Sequence, residues 1–382
     1  MKLVFASNYY NHHQSALSEA LLSRTEGQYR FVATGEMRQD RKDLGYGMGT
    51  DPEFVLHAHL DDRDEAERSI ASADAVIVGS APENLVSKRI RRGKLTFRYS
   101  ERLKKKKLSV KDWAKRYILL NRRNPAGKPM YLLCAGAYTA ADFASFGVLK
   151  NRAYQWGYFP QTITYPSAQW LMSQKGHNEI LWAGRLIDWK HPEYAIALAK
   201  KLRDAGYQFT LNIVGSGELK ESIRSQIAAE DLEGYVNLLG SMKPDAVRTY
   251  MERASIFLAT SDRQEGWGAV INEAMNSGCA VVASHAMGSV PYLIENDTNG
   301  MIYRSGDIDA MFRQVSTLLS NEEQRRNMGC RAYETITQLW NAEVAAERLC
   351  CLTHAILSGD AHPDLYETGP CSKAAILSDD WM

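Results

Sequence analysis

Glu265, Gly266, Trp267, Gly268 and Glu273 stand within the stretch EGWGAVINEAMNSG, directly before the apolar run CAVVAS (279–284). Two carboxylates so placed can each accept hydrogen bonds from the hydroxyls of a ligand. Glycines on both sides of a tryptophan let the backbone approach that ligand closely, and the free N–H groups of a helix start attract a phosphate. The chemistry suggested is recognition of a molecule that carries both hydroxyls and an anion. Helical spacing puts Ile271, Ala274, Met275 and Gly278 on a face that can pack on a sheet, while Ala269, Glu273, Asn276 and Ser277 share the adjacent face. Glu273 thus stands at the edge of the packed stripe, and Gly278 supplies the helix stop. Either glutamate alone would suit any solvated surface; the combination is far less common.

The elements that must position this stretch are short apolar strands alternating with amphipathic helices, the pattern of α/β layers around parallel sheets. KLVFAS (2–7), YRFVAT (29–34), ADAVIVGS (73–80) and PMYLLCAG (129–136) predict a first sheet. NEILWAG (178–184), FTLNIVG (209–215), YVNLLG (235–240), SIFLAT (255–260), CAVVAS and NGMIY (299–303) predict a second. Between them YFPQTITYPSAQWLMSQKGH, with two prolines, reads as a linker near residues 158–177. A chain of 382 residues exceeds one comfortable core, so two domains are expected, 1–170 and 171–357. Residues 358–382, rich in Gly, Pro and Asp, form a tail that either packs back on the first domain or is loosely ordered. Two such halves facing one another create a cleft, and open α/β sheets bind ligands beyond the carboxyl ends of their strands.

Glu265, Gly266, Trp267, Gly268 and Glu273 resemble the E-x7-E signature of the retaining glycosyltransferases with the GT-B fold, the group often called family 4. AGRLIDWKHPEYAIALAKKL (183–202), IVGSGEL (213–219) and VNLLGSM (236–242) are similar to further strand-end segments of that family, in the same order. The likeness runs from about residue 178 to 357, where LWNAEVAAERLCCLTHAIL resembles the helix that crosses back toward the first domain. It implies two facing Rossmann-like domains, a nucleotide sugar held by the second and a glycan or lipid-linked acceptor held by the first. By the same likeness Arg185 and Lys190 bind the diphosphate and Glu265 holds the transferred sugar. Glu273 would take the ribose hydroxyls, with Gly266, Trp267, Gly268, Gly215, Gly240 and Met242 along the donor. A diphosphate leaving group gains negative charge as the sugar bond breaks, so cations there stabilise the transition state more than the ground state.

The resemblance further implies a hexosyltransferase that retains the anomeric configuration, takes a UDP-sugar, needs no cofactor or essential metal, and serves cell-surface polysaccharide or glycolipid synthesis. Two other activities on this fold stay open: a nucleotide-sugar epimerase or hydrolase, and a non-catalytic nucleotide-sugar-binding protein. The VGSGE segment lacks the third glycine of a dinucleotide loop. Asp62 with Asp64, and Asp307 with Asp309, spell DxD, but each pair precedes a helical pattern and suits a helix start better than a metal.

In the first half the likeness fades. Asn11, His12, His13 and Gln14 follow the first strand where many relatives carry a glycine-rich loop, so Asn11, His12 and His13 either face the acceptor or cap the next helix. Only Cys134, Ala135, Gly136 and Ala137 stand where many relatives place a histidine. Between Lys88 and Arg123 sixteen Lys and Arg meet only Glu101 and Asp112, a net +14 that leaves −13 for the remainder of a chain of net charge +1. Leu103, Val110, Trp113, Tyr117 and Leu120 predict one apolar helical stripe among those cations. Residues 88–123 would then meet an anionic membrane surface or a lipid diphosphate, with Ser100 and Glu101 reaching the acceptor. No recognised RNA module surrounds these residues, so nucleic acid is not an expected partner.

No apolar run approaches the roughly 20 residues of a membrane span, and MKLVFASNYY reads as a strand rather than a leader. Cytoplasmic placement is expected, with peripheral attachment at the inner membrane face. Six cysteines, none in a CxxC pair, fit reduced thiols without metal.

Overall fold

The computed structural model describes residues 1–37, 39, 50–60, 62–106 and 108–382. Lys107, counted above among the basic residues, lies outside them. The chain forms two compact units, one of Met1–Gln161 with Asn341–Trp381, the other of Thr162–Trp340 with Met382.

In the first unit the described strands are β1 (Leu3–Ser7), β2 (Tyr29–Ala33), β3 (Val55–His57), β4 (Ala75–Val78), β5 (Thr96–Ser100), β6 (Met130–Ala135) and β7 (Ala153–Trp156), in the order β3-β2-β1-β4-β5-β6-β7. Every neighbouring pair is parallel. A parallel sheet is covered on both faces, which is why LVFAS and MYLLCA are buried at every position. Helices His12–Arg24, Arg63–Ser72, Glu83–Arg91, Val110–Arg123 and Thr139–Ser145 lie between the strands, and Ala342–Leu357 packs on His12–Arg24 with an Arg24–Glu347 ion pair of 2.8 Å. Residues 361–374 line the outer edge of β7. Tyr131 and Tyr154 donate their hydroxyls to the carbonyls of Ala361 and Pro363, and Gln155 exchanges backbone bonds with Cys371 and Ser372. An antiparallel bridge, Tyr154 with Lys373, closes that edge.

The basic segment is not one solvated surface. The strand β5 runs through it, and three of its arginines point inward. Arg89, 3% exposed, donates to the carbonyls of Ile70, Ala73, Asp74 and Leu95. Arg98 forks onto Glu83 at 2.7 and 3.1 Å and also reaches Asn124. Arg102 is buried too. The expected apolar stripe is also corrected: Leu103 precedes the helix Val110–Arg123, Leu120 is its buried residue, and Val110 and Ile118 are 88% and 67% exposed. Trp113 and Tyr117 stack on one another at the surface, and Trp113 on Phe146.

The second unit holds β8 (Glu179–Ala183), β9 (Thr210–Val214), β10 (Val236–Gly240), β11 (Ile256–Ala259), β12 (Ala280–Ser284) and β13 (Gly300–Tyr303), again all parallel, in the order β10-β9-β8-β11-β12-β13. Its core joins Ile180, Trp182, Leu211, Ile213, Leu258 and Val282 to apolar faces of the helices Pro192–Asp204 and Ile308–Ser320. The linker expected near 158–177 contains the helix Ala168–Ser173, capped by Ser167, with Leu171 and Met172 fully packed. A segment that contributes core residues cannot serve as a free hinge. Among the described residues no helix is long and apolar enough to cross a membrane.

Replacing Arg89 by Leu leaves several buried carbonyls without donors, which should lower stability by about 3 kcal/mol. Urea unfolding of parent and variant measures this, and a shift under about 0.5 kcal/mol, the range of ordinary surface changes, would contradict the assigned role.

Candidate functional site

The candidate residues of the second unit gather at and beyond the carboxyl ends of β8 to β11. The chain leaves β8 through Gly184 and Arg185, makes a short 3-10 turn at Asp188–Lys190, and enters the helix Pro192–Asp204 through His191, whose φ is 48°. Ladder bonds continue past the strands: Gly184 N–H donates to Val214, Leu186 to Ser216, and Gly215 to Gly240. Gly215 has φ 147°, and a Cβ there would lie 1.8 Å from the Gly184 carbonyl oxygen, so any side chain would push the loops after β8 and β9 apart. Gly240, at φ 76°, turns the chain in open space, and Met242 follows it, partly buried.

The quoted stretch lies where these loops point. Lys190 forms an ion pair with Glu265, the two side chains being 15% and 18% exposed. Thr260 fixes the turn from below, accepting from Trp182 Nε1 at 2.8 Å and donating to the Lys190 carbonyl at 2.6 Å. His191 stacks on Tyr194, bonds Glu193 at 2.7 Å and lies 3.5 Å from Asp262, and these carboxylates raise its pKa. Arg185 is exposed over the Trp189 ring at 5.4 Å and forms no ion pair among the described residues. One ammonium is therefore held by a carboxylate while a neighbouring guanidinium stands open.

Gly268, at φ 93°, turns the chain into the helix Val270–Asn276, and a Cβ on it would meet Met287 at 2.6 Å. Ile271, Ala274 and Met275 pack on the sheet as their spacing requires. Trp267 is fully buried, its Nε1 bonded to Asn272, so any ligand contact it makes must be through its backbone. The Glu273 carboxylate makes no hydrogen bond among the described residues. Burial pushes its pKa above the usual carboxylate value, opposed by the Arg248 guanidinium. Arg248 donates to the Glu273 carbonyl, to Asn276 and to Ser277, and so holds the carboxyl end of this helix. An unsatisfied carboxylate with a nearby cation suits a ligand's hydroxyl pair.

The DxD pairs sit at helix starts. Asp307 caps Ile308–Ser320 and Asp309 pairs with Lys201, whereas Asp62 precedes Arg63–Ser72 and accepts the His57 N–H. In the first unit Asn11 caps the helix His12–Arg24 by accepting the His13 N–H at 2.8 Å. The rings of His12 and His13 lie 3.9 Å apart, and His13 is 6.2 Å from Tyr158. Tyr158 donates to Glu101, which also holds Lys105, and Ser100 donates to the Glu101 carbonyl. Tyr158 thus connects the histidine and glutamate candidates.

Residues 169–335 match the model of the family described as glycosyl transferases group 1. They are a glycosyl transferases group 1 domain. The chain is 34% identical over 175 residues to amylovoran biosynthesis glycosyltransferase AmsK of Erwinia amylovora, covering 44% of this chain and 43% of that protein. It is also similar to N-acetyl-alpha-D-glucosaminyl L-malate synthase of Bacillus anthracis, 28% identical over 39% of this chain and 38% of that one. The match thus spans less than half of the length of these curated relatives. Among solved structures, Anabaena HepE in complex with UDP superposes with a TM-score of 0.67 at 17% identity, covering 93% of this chain and all of that one. TarM of S. aureus gives 0.65 at 12% identity, over 92% of this chain and 98% of that one. The fold is GT-B, with two Rossmann-like parallel-sheet domains.

Arg248, Thr260, His191 and Asp262 around the group 1 site, and Tyr158 in the first unit, went unnoticed in the sequence. Each takes its place through contacts between segments far apart in the chain rather than through a local motif, so spacing carries no signal for them.

Because the folded pKa of Glu273 is raised above 4.5, its ionisation costs stability that is present at low pH and lost as pH rises through the folded value. Glu273→Gln should therefore melt above the parent at pH 7, with the gap closing as pH falls toward 4.5. Thermal melts across that range measure it, and a gap that does not change with pH would contradict the sign.

Proposed function

We propose that this chain transfers a hexosyl group from a UDP-sugar to a glycan or lipid-linked acceptor, with retention of configuration, in the synthesis of a surface polysaccharide or glycolipid. The observation that carries the reading is the set at the strand ends of the group 1 domain: the Lys190–Glu265 pair, the open Arg185, and a Glu273 carboxylate that makes no hydrogen bond among the described residues. It is supported by the relatives named glycosyltransferases and by the UDP complex of the similarly folded HepE.

The donor diphosphate draws Lys190 away from Glu265 and takes Arg185 as its second cation. Both then face charge that grows as the glycosidic bond breaks, where preorganised cations act most strongly. Glu265, released, accepts hydrogen bonds from the sugar hydroxyls, and Glu273 accepts them from the ribose. The acceptor hydroxyl attacks the face from which the diphosphate leaves, and the leaving phosphate takes its proton. Two cations suffice for the diphosphate, so no metal is required. Asn11, His12, His13, Ser100 and Glu101 form the acceptor side.

The chain acts in the cytoplasm and attaches peripherally to an anionic inner membrane face through residues 88–123. The exposed Val110, Ile118 and Leu119 on a helix that carries Lys111, Lys115 and Arg116 support this, as an amphipathic surface of this kind binds acidic lipid.

Thermal-shift screening against UDP, GDP, ADP and CMP sugars, with and without EDTA, tests the donor. One responding UDP-sugar, unaffected by EDTA, is expected. Arg185→Ala should remove most turnover, by about a hundredfold, and Glu273→Ala should weaken donor binding about tenfold. Normal values for both would end the site assignment, and free monosaccharide or an isomer formed without acceptor would replace transfer by hydrolysis or epimerisation. Serine at Lys104, Lys105, Lys106 and Lys107 should lower binding to anionic vesicles and leave donor binding intact; equal vesicle retention would refute the membrane role.

A further inference from the structure

Beyond β5 the chain enters the first unit's interior with a charged side chain. Arg102 is 4% exposed, and its guanidinium lies 4.8 Å from the centre of the Tyr138 ring. Its Nη2 donates to Asp379 at 2.8 Å, but Nε and Nη1 are buried without a hydrogen-bond partner among the described residues. Asp142 Oδ1 forms an ion pair with Nη2 at 3.6 Å, too long for a hydrogen bond, while its Oδ2 accepts the N–H groups of Leu103 and Lys104 at 2.7 and 2.8 Å. Thr139, next to Tyr138 and fully buried, has a hydroxyl that also finds no partner. Two donors of one buried guanidinium are thus unmet, and a third unmet donor stands on the residue that follows Tyr138.

That cluster stands just past the carboxyl ends of β5 and β6, the end at which parallel sheets of this class receive ligands. What covers it is the chain's own tail. Residues 361–374 are bonded to the edge of β7, whereas Ala375 to Asp380 are largely exposed, and the tip engages the cluster through Asp379 on Arg102 and Trp381 Nε1 on the Tyr138 hydroxyl at 2.8 Å. Asp379 is itself 46% exposed and meets the guanidinium through one nitrogen. A carboxylate so placed leaves the planar fork of the arginine mostly unused, and buried donors left unmade cost free energy.

We propose that Arg102 anchors a phosphate-binding subsite of the first unit, and that Asp379 is its internal stand-in. A phosphate group brings three or more acceptor oxygens, whereas Asp379 bonds the guanidinium through one. Once Asp379 gives up Nη2, a phosphate can take Nη2 together with either Nε or Nη1 as a fork and leave an oxygen for the Thr139 hydroxyl. The turn that follows Arg102 carries Lys104 and Lys105, and Arg116 donates to the Leu103 carbonyl, so the surroundings favour a doubly charged group over a carboxylate. The tail tip must leave for the phosphate to enter. The subsite belongs to a different unit from the donor residues, and its test requires neither donor nor turnover.

Calorimetric titration with inorganic phosphate, at constant ionic strength set by chloride, compares the parent with Asp379→Ala. The variant should bind phosphate about tenfold more tightly, because the competitor is gone. Arg102→Lys in the Asp379→Ala background, which keeps the charge and loses the fork, should abolish the gain. Should that variant fail to fold, Thr139→Val in the same background replaces it, with at least about a threefold loss expected. Phosphate should also raise the melting temperature of Asp379→Ala more than that of the parent, a response that a merely structural Asp379 would not give. A second arm uses phosphatidylcholine vesicles with and without phosphatidic acid. A gain for free phosphate alone assigns a soluble phosphate ester, and a gain for the acidic vesicles alone assigns a lipid headgroup. Unchanged affinity for both probes, or a gain that survives Arg102→Lys or Thr139→Val, overturns the proposal.

Discussion

The site of the group 1 domain depends on a place where no side chain fits. At Gly215 the backbone of one loop lies against the Gly184 carbonyl of its neighbour, and the bonds of the sheet run on through Gly184, Leu186 and Gly215 after the strands have formally ended. The loops after β8 and β9 are zipped together at their roots. A loop anchored so close to its strand has little freedom left before Lys190, and Thr260 removes more of it by holding the Lys190 carbonyl. The Lys190–Glu265 pair can form only because both partners leave rigid strand ends, and the same rigidity leaves Arg185 open. Preorganisation here is a backbone property, with the charges added at its tips.

Charge is distributed unevenly in function as well as in number. In the second unit Glu273 is left without a hydrogen bond among the described residues under partial burial, an arrangement that lowers stability and is expected where a ligand completes the shell. In the first unit the inward arginines divide into two kinds. Arg89 and Arg98 are saturated by carbonyls and by Glu83, and they tie helices to strands. Arg102 is not saturated. The sequence shows all three as members of one basic run, but burial and partner count separate structure from chemistry.

The ten strands expected from apolar runs are all present, most of them because a strand buried on both faces must be apolar throughout; β10, with Asn237 exposed, is the exception in burial. The strands β3, β5 and β7 escaped notice for identifiable reasons. VLH is too short to form a pattern, TFRYS carries Arg98, whose charge is neutralised by a residue fifteen positions away, and AYQW is interrupted by a glutamine. The carboxylates and glycines of the candidate site could be found because they lie together in one segment. Arg248, Tyr158 and Arg102 could not, since each is defined by partners distant in the chain, Asp379 being 277 residues from Arg102. The apolar stripe expected over 103–120 failed for a different reason: spacing identifies a face but does not say whether anything covers it.

The chain leaves the first unit at Gln161 and returns to it only at Asn341. The helix Ala342–Leu357, which packs on the helix His12–Arg24, and the segment that closes the edge of β7 are therefore made last. On a ribosome, which extends the chain from its amino end, the group 1 domain has every one of its strands in hand while the first unit still has a bare sheet edge and an uncovered helix. The first unit can therefore complete its fold only after the second unit has been synthesised. The half that is begun first must wait, exposed, for the half that is begun second.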